Sequence, residues 1–332
     1  MRLDRPSIGV PHLRSLWSRT VARARGTSEG ADAAGQDEHW ARDRMVIYGL
    51  GLGLRETYDV LYGAPSFEAF ERWILEAHGG MIDQRIVARV NAALSGNAIE
   101  PIDDGSPSLR PDELAFFDEH GYVVLQNAVS PDAARAAEDA IWAYLRMDRD
   151  DPETWYADPY GRSLWVPLIH HPALDANRAS GRIASAFAQL WKRRDLWVTV
   201  DQTGFNPPER PDWQFPGQRL HWDVSLTPPI PFGLLGILYL TDTPADGGAF
   251  TCVPGFHRRL EAWLHALPPE ADPREQDLSR LGPIPVAAGC GDLVIWHQAL
   301  PHGASPNRSA RPRIVQYIAL TPLAIEDNSR WS

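Results

Sequence analysis

The chain has 332 residues, 44% of them hydrophobic and 23% charged, enough for one large domain with an appendage or two ordinary domains, each burying a real core. A net charge of −11, with basic residues that are almost all arginine, argues against nucleic acid or an anionic membrane as the main partner. No run of about 18 or more apolar residues exists to cross a bilayer, and two cysteines, Cys252 and Cys290, point to a reducing, cytoplasmic compartment rather than a disulfide framework or zinc knuckle.

The arginine-rich stretch Met1–Arg25 lacks the apolar core of a secretory signal, and Gly26–Glu38 is small and polar. Together they read as a flexible leader over residues 1–40. A small helical region is expected over 41–100. Within it Phe67, Phe70, Trp73, Ile74 and Ala77 recur at spacings of three and four in Ser66–His78, stopped by Gly79-Gly80. A second helix is expected from about Asp83 to Leu94. Pro101–Pro111, rich in Pro, Asp, Ser and Gly, reads as a linker.

Downstream, over 112–325, the pattern changes. A short helix at Asp112–Glu119 leads into the β-branched run Gly121–Leu125, and Pro131–Leu145 is again helical. Short apolar runs broken by Pro and Gly clusters then dominate, at Leu196–Val200, Leu234–Leu240, Ala249–Val253, Asp292–Trp296 and Ile314–Leu320. Many short strands with turn signals between them predict a mainly β sandwich or barrel with flanking helices.

The chemistry begins in Arg219-Leu-His-Trp-Asp-Val-Ser225. Side chains alternate along a strand, so His221 and Asp223 would present one nitrogen and one oxygen ligand on the same face. His302, about 80 residues later in Leu300-Pro-His-Gly-Ala304, is the candidate third ligand. Two histidines and a carboxylate on one face of an octahedral metal leave positions open, as an Fe(II) oxygenase needs. His-x-Asp alone also occurs by chance, as a strand-end histidine oriented by a neighbouring carboxylate. Arg313 follows His302 by eleven residues, and a planar bidentate donor there suits the far carboxylate of a dicarboxylate cosubstrate. Arg311 shares its strand parity and is the alternative anchor.

Taken in order, these segments resemble the phytanoyl-CoA dioxygenase family of Fe(II)- and 2-oxoglutarate-dependent oxygenases. Phe117-Asp-Glu-His-Gly-Tyr-Val-Val-Leu125 resembles its first strand. Gly247-Gly-Ala-Phe-Thr-Cys-Val-Pro-Gly-Phe-His257 is similar to its Pro-Gly-Ser-His turn, with Phe256 in place of Ser. The stretch from Gly291 through His302 to Arg313 resembles its distal-histidine motif with the arginine at the expected spacing.

The resemblance implies a double-stranded β-helix (jelly roll) with the metal at one mouth. It implies His221, Asp223 and His302 as iron ligands, Arg313 on 2-oxoglutarate, and Gln202 and Asn206 as further cosubstrate or substrate contacts. Fe(II), 2-oxoglutarate and O2 are the implied cofactors. Asp223 fills the position that halogenases of this chemistry leave small, so hydroxylation is the expected outcome.

The sequence departs from the family pattern at Trp222, where glutamine is frequent, at Ala304, where serine is common, and at Asn206, where lysine occurs. No basic cluster near the proposed mouth suits the phosphates of a CoA ester, so a small metabolite or natural-product intermediate is the expected substrate. The competing readings are a catalytically silent jelly-roll ligand-binding protein and a cupin-like metalloenzyme without 2-oxoglutarate. Neither needs a carboxylate anchor at Arg313.

Overall fold

The computed structural model describes residues 8–27, 33–157, 164–217 and 220–322. They divide into two compact units, one taken from Met1–Pro101, Asp195–Asp201 and Thr321–Ile325, the other from Ile102–Arg194 and Gln202–Leu320. No described helix is long and apolar enough to cross a membrane.

The first unit is helical, with α1 (Pro11–Ala24), α2 (Ala33–Gly49), α3 (Leu54–Tyr62), α4 (Phe67–Ala77) and α5 (Gln84–Leu94). Helices α4 and α5 fall where periodicity places them, each capped by a side chain, Ser66 on the Ala69 N–H and Asp83 on the Arg85 N–H. The expectation of a flexible leader over 1–40 is corrected by α1 and by the start of α2, although residues 1–7 and 28–32 lie outside the described residues. Pro11 opens α1 with a preset φ. Leu13, Leu16, Thr20 and Val21 then form a buried stripe at helical spacing. That stripe is hidden in the sequence by the arginines between its members. One of these, Arg19, joins His12 on the buried Asp43 of α2, at 2.6 and 2.9 Å.

A second correction concerns Leu196–Val200, expected in the β domain. Its strand β3 (Leu196–Val198) belongs to the helical unit and pairs with β11 (Leu320–Pro322) in a two-stranded sheet. Trp197 is buried in the helical core, with the Arg89 guanidinium 4.0 Å from its ring and bonded at 2.9 Å to the Leu196 carbonyl. The expected single strand Ile314–Leu320 is correspondingly broken, into β10 (Arg313–Tyr317) and β11.

The second unit opens with α6 (Pro111–His120), β1 (Tyr122–Leu125), α7 (Pro131–Leu145), β2 (Trp165–Val166), α8 (Pro172–Arg178) and α9 (Gly181–Trp191). It continues with β4 (Thr203–Asn206), β5 (Leu234–Tyr239), β6 (Phe250–Cys252), α10 (Leu260–Ala266), β7 (Ile284–Val286), β8 (Leu293–His297), β9 (His302–Ala304) and β10. An antiparallel six-stranded sheet has the order β1-β8-β5-β10-β4-β2, and a three-stranded sheet the order β7-β6-β9.

The register puts Tyr122, Trp296 and Leu235 on one face of the larger sheet, with Val294, Ile237 and Tyr317 behind them. Those residues share a core with Phe250, Cys252 and Val286 of the smaller sheet, so the two sheets face each other. Tyr239 ties them directly: its hydroxyl accepts from the Phe250 N–H at 2.8 Å and donates to the Val286 carbonyl at 3.2 Å. Helices cover the opposite face of the larger sheet. Trp142 of α7 meets Phe205 edge-on at 5.3 Å, and Gln316 bonds Asn177 and the Leu174 carbonyl of α8 at 3.0 and 2.9 Å.

If α1 is part of the fold, Leu16→Ala should lower unfolding free energy by about 2–5 kcal/mol, the usual range for emptying a fully buried leucine site. Denaturant titration checks this. A loss below about 0.5 kcal/mol would return the segment to the status of a leader.

Candidate active site

Three side chains converge at the edge of the smaller sheet. His302 begins β9, and His221 lies beside it in a lone bridge, each donating its N–H to the other's carbonyl at 2.9 Å. A mutually bonded antiparallel pair points its side chains to one face, and the rings sit 4.7 Å apart. Asp223, two residues on, returns to that face. Its Oδ2 lies 3.1 Å from His302 Nε2 and its Oδ1 3.6 Å from His221 Nε2. One ligand atom from each residue lies within 4.8 Å of the others. The set is buried on one side and open on the other, with side-chain exposure of 6% at His302 against 36% at His221 and 52% at Asp223.

The donor set fits a metal on its own chemistry. His302 Nδ1 lies 3.0 Å from the Leu300 carbonyl, which can only accept, so Nδ1 carries the proton and Nε2 is the atom that could bind a metal. That Nε2 faces a carboxylate oxygen, and two lone pairs at this distance need a proton or a metal cation between them. Burial pushes the Asp223 carboxyl up, but the His302 hydrogen bond and the charges of His302, His221 and Arg274 outweigh it and hold the group below the usual carboxylate range. Trp296 and Phe250 wall the buried side, with ring centres 5.1 and 6.0 Å from that of His302.

Arg313 opens β10 and is 2% exposed, while its Nε and Nη2 have no partner among the described residues. An unmet buried guanidinium costs several kcal/mol, and its chemistry suits an anionic guest. Asn206 is its direct partner across the strands. Asn206 Nδ2 donates to the Ser305 carbonyl at 3.2 Å, and Oδ1 is buried without a partner. Gly248, at φ +78°, packs so closely on that amide that a Cβ there would clash with it. Gln202 lies one residue before β4, partly buried. Arg311 does not share the sheet face with Arg313: it precedes the strand, 66% exposed, 4.0 Å from Asp150.

Other polar and aromatic side chains have structural roles. The Trp222 indole points away from the triad, donating to the Ala299 carbonyl at 3.0 Å and packing on Phe256 and Trp263. Ser305 directs its hydroxyl to the Ala249 carbonyl at 3.1 Å. His297 is partly buried against Phe232 and His257, and desolvation first, then His257, brings its pKa down to about 3. His171 caps α8. Trp165 stands on the inner face of the larger sheet, 4.6 Å from Tyr317, whereas Trp197 belongs to the helical core. Sequence reasoning missed Arg274, which touches both carbonyls flanking Asp223. Nothing in the Pro273-Arg-Glu275 segment marks it out.

The family model described as phytanoyl-CoA dioxygenase (PhyH) matches residues 117–315, and the chain belongs to this family. Its members are non-heme iron- and 2-oxoglutarate-dependent oxygenases, and the cofactors that go with membership are Fe(II), 2-oxoglutarate and O2. A Dictyostelium discoideum protein named "Putative phytanoyl-CoA dioxygenase" is 22% identical over 269 residues, 65% of this chain and 76% of that protein. The Ava biosynthesis cluster protein O of Aspergillus versicolor is 26% identical over 106 residues, 29% of this chain and 34% of that one. Among solved structures, the chain is similar to the non-heme alpha-ketoglutarate-dependent carbocyclase SnoK from nogalamycin biosynthesis, at 19% identity over 66% of this chain and 88% of that chain, TM-score 0.45. It is also similar to EctD from S. alaskensis, at 17% identity over 68% and 82%, TM-score 0.46.

Arg313 makes a measurable prediction about stability. Arg313→Met removes a buried, unmatched charge at similar volume, so the metal-free protein should gain roughly 1–4 kcal/mol. Thermal unfolding of wild type and variant gives the comparison. A loss above about 1 kcal/mol would mean that the guanidinium is already satisfied within the fold.

Proposed function

We propose that the protein is a hydroxylase that uses Fe(II), 2-oxoglutarate and O2 to oxidise an unactivated C–H bond of a small metabolite or natural-product intermediate. The observation that carries this is the buried Arg313 guanidinium with two unmet donors, in the same unit as a two-histidine, one-carboxylate set. A metalloenzyme without 2-oxoglutarate would leave those donors unmet, and a silent binding protein would have no use for three converging ligands. The two facing antiparallel sheets support a double-stranded β-helix.

In this reading His221, Asp223 and His302 hold the metal, and Arg313 takes the far carboxylate of 2-oxoglutarate. Asn206 and Gln202 supply hydrogen bonds to cosubstrate or substrate. Iron with 2-oxoglutarate supplies O2 activation, coupled to oxidative decarboxylation of the cosubstrate to succinate and CO2. The protein's part is to orient and to keep water out. The His302 side is closed by Trp296 and Phe250, and the Asp223 side stays open for substrate. A carboxylate at 223 fills the coordination position that halide would need, which favours hydroxylation. The two free cysteines support a reducing, cytoplasmic setting.

An anaerobic titration with Fe(II) followed by 2-oxoglutarate, read from the iron-to-cosubstrate charge-transfer band, tests this reading. One Fe(II) should bind per chain, and His221→Ala or His302→Ala should abolish binding. Undiminished iron in both variants would remove the triad. Arg313→Ala should weaken 2-oxoglutarate by roughly 30-fold to several thousand-fold, the equivalent of about 2–5 kcal/mol for truncating a buried charged pair. Arg311→Ala should change it by less than about fivefold, as for an exposed pair. A larger loss at Arg311 than at Arg313 would move the anchor.

A further inference from the structure

We infer that Arg274 is a positioning residue for Asp223, bracing the carbonyls on either side of it so that the carboxylate is held toward His221 and His302. This rests on the metal-binding reading of those three residues. Past His221, the segment that carries Asp223 has no neighbouring strand among the described residues. Its one ladder contact is the bridge from His221 to His302, and residues 222–224 lie beyond it in bend and irregular conformation. Asp223 itself is half exposed.

Into this gap Arg274 sends both arms of its guanidinium, Nη1 to the Trp222 carbonyl at 2.9 Å and Nη2 to the Val224 carbonyl at 2.8 Å. One planar fork thus takes both carbonyls at once and fixes the backbone of the residue between them. A lysine ammonium, as a point donor, would fix one. The arginine's own backbone is set by Asp272, whose carboxylate accepts the Arg274 N–H at 2.8 Å at the head of a single 3-10 turn. The Trp222 indole, bonded to the Ala299 carbonyl, secures the same segment from its other side. Arg274 thus stands in for a neighbouring strand.

The test uses Ni(II), which suits imidazole and carboxylate ligands and supports no turnover. Calorimetric titration of the metal-free full chain should show Arg274→Ala and Arg274→Lys binding roughly 10- to 100-fold more weakly, the usual effect of removing an outer partner of a metal ligand. Guanidinium ion at millimolar concentration should restore part of the affinity to Arg274→Ala but not to Asp223→Ala. In an Asp223→Ala background, Arg274→Ala should cost nothing further, because its effect passes through that carboxylate. If Arg274→Ala does not fold, Arg274→Gln, which keeps one amide donor, takes its place in both comparisons. A lowered melting temperature with unchanged Ni(II) affinity would overturn the inference, as would an undiminished loss in the Asp223→Ala background. His302→Ala in the same titration separates the two levels. If it too keeps full affinity, the metal reading fails, and if it alone loses affinity, only the role of Arg274 does.

Discussion

Everything at the candidate metal centre hangs on one pair of backbone hydrogen bonds, those exchanged between His221 and His302. That bridge fixes the separation of two rings from distant parts of the chain without asking either side chain to find the other. It also sets the parity that brings Asp223 back to the same face. The ligand set is therefore preorganised by main-chain geometry, and side chains provide the fine adjustment: Leu300 fixes the His302 tautomer, and Arg274 steadies the stretch beyond the bridge.

The larger sheet contributes the opposite economy, tolerating a group that costs stability. Arg313 is buried on a strand flanked by Asn206 and close to Tyr239, and no carboxylate partners it among the described residues. The surrounding sheets are tied firmly enough to carry that cost, in part through the Tyr239 hydroxyl, which satisfies a donor and an acceptor on two strands of the facing sheet. A binding anion would turn the cost into affinity, since the donors are already desolvated and aimed by the strand.

The parts of this arrangement legible in the sequence are those governed by short-range periodicity. The alternation in His221-Trp-Asp223 is a property of any extended chain, and the spacing of Phe67, Phe70 and Ile74 is a property of any helix. Arg311 and Arg313 share parity, so sequence alone left both open, and only the start of β10 separates a surface side chain from a buried one. Trp222 shows the same rule from the other side: the alternation that gathers its neighbours sends it into the core. What stayed hidden depends on tertiary choice. Helix α1 carries its apolar stripe among arginines, β3 has the composition of a barrel strand but lies in the helical unit, and Arg274 acts over a sequence distance that no local pattern records.

The helical unit draws its small sheet from β3 and β11, elements that lie far along the chain from α1–α5. During synthesis α1–α5 leave the ribosome before β3, and the strand that completes their unit comes only after β10 has been made. The helices therefore gain Trp197 of β3 and the pairing of β3 with β11 only later, at a loop-closure cost that grows only slowly with the length of chain between. The helical unit is thus completed only after nearly all residues of the second unit have been made, although its helices precede that unit in the chain.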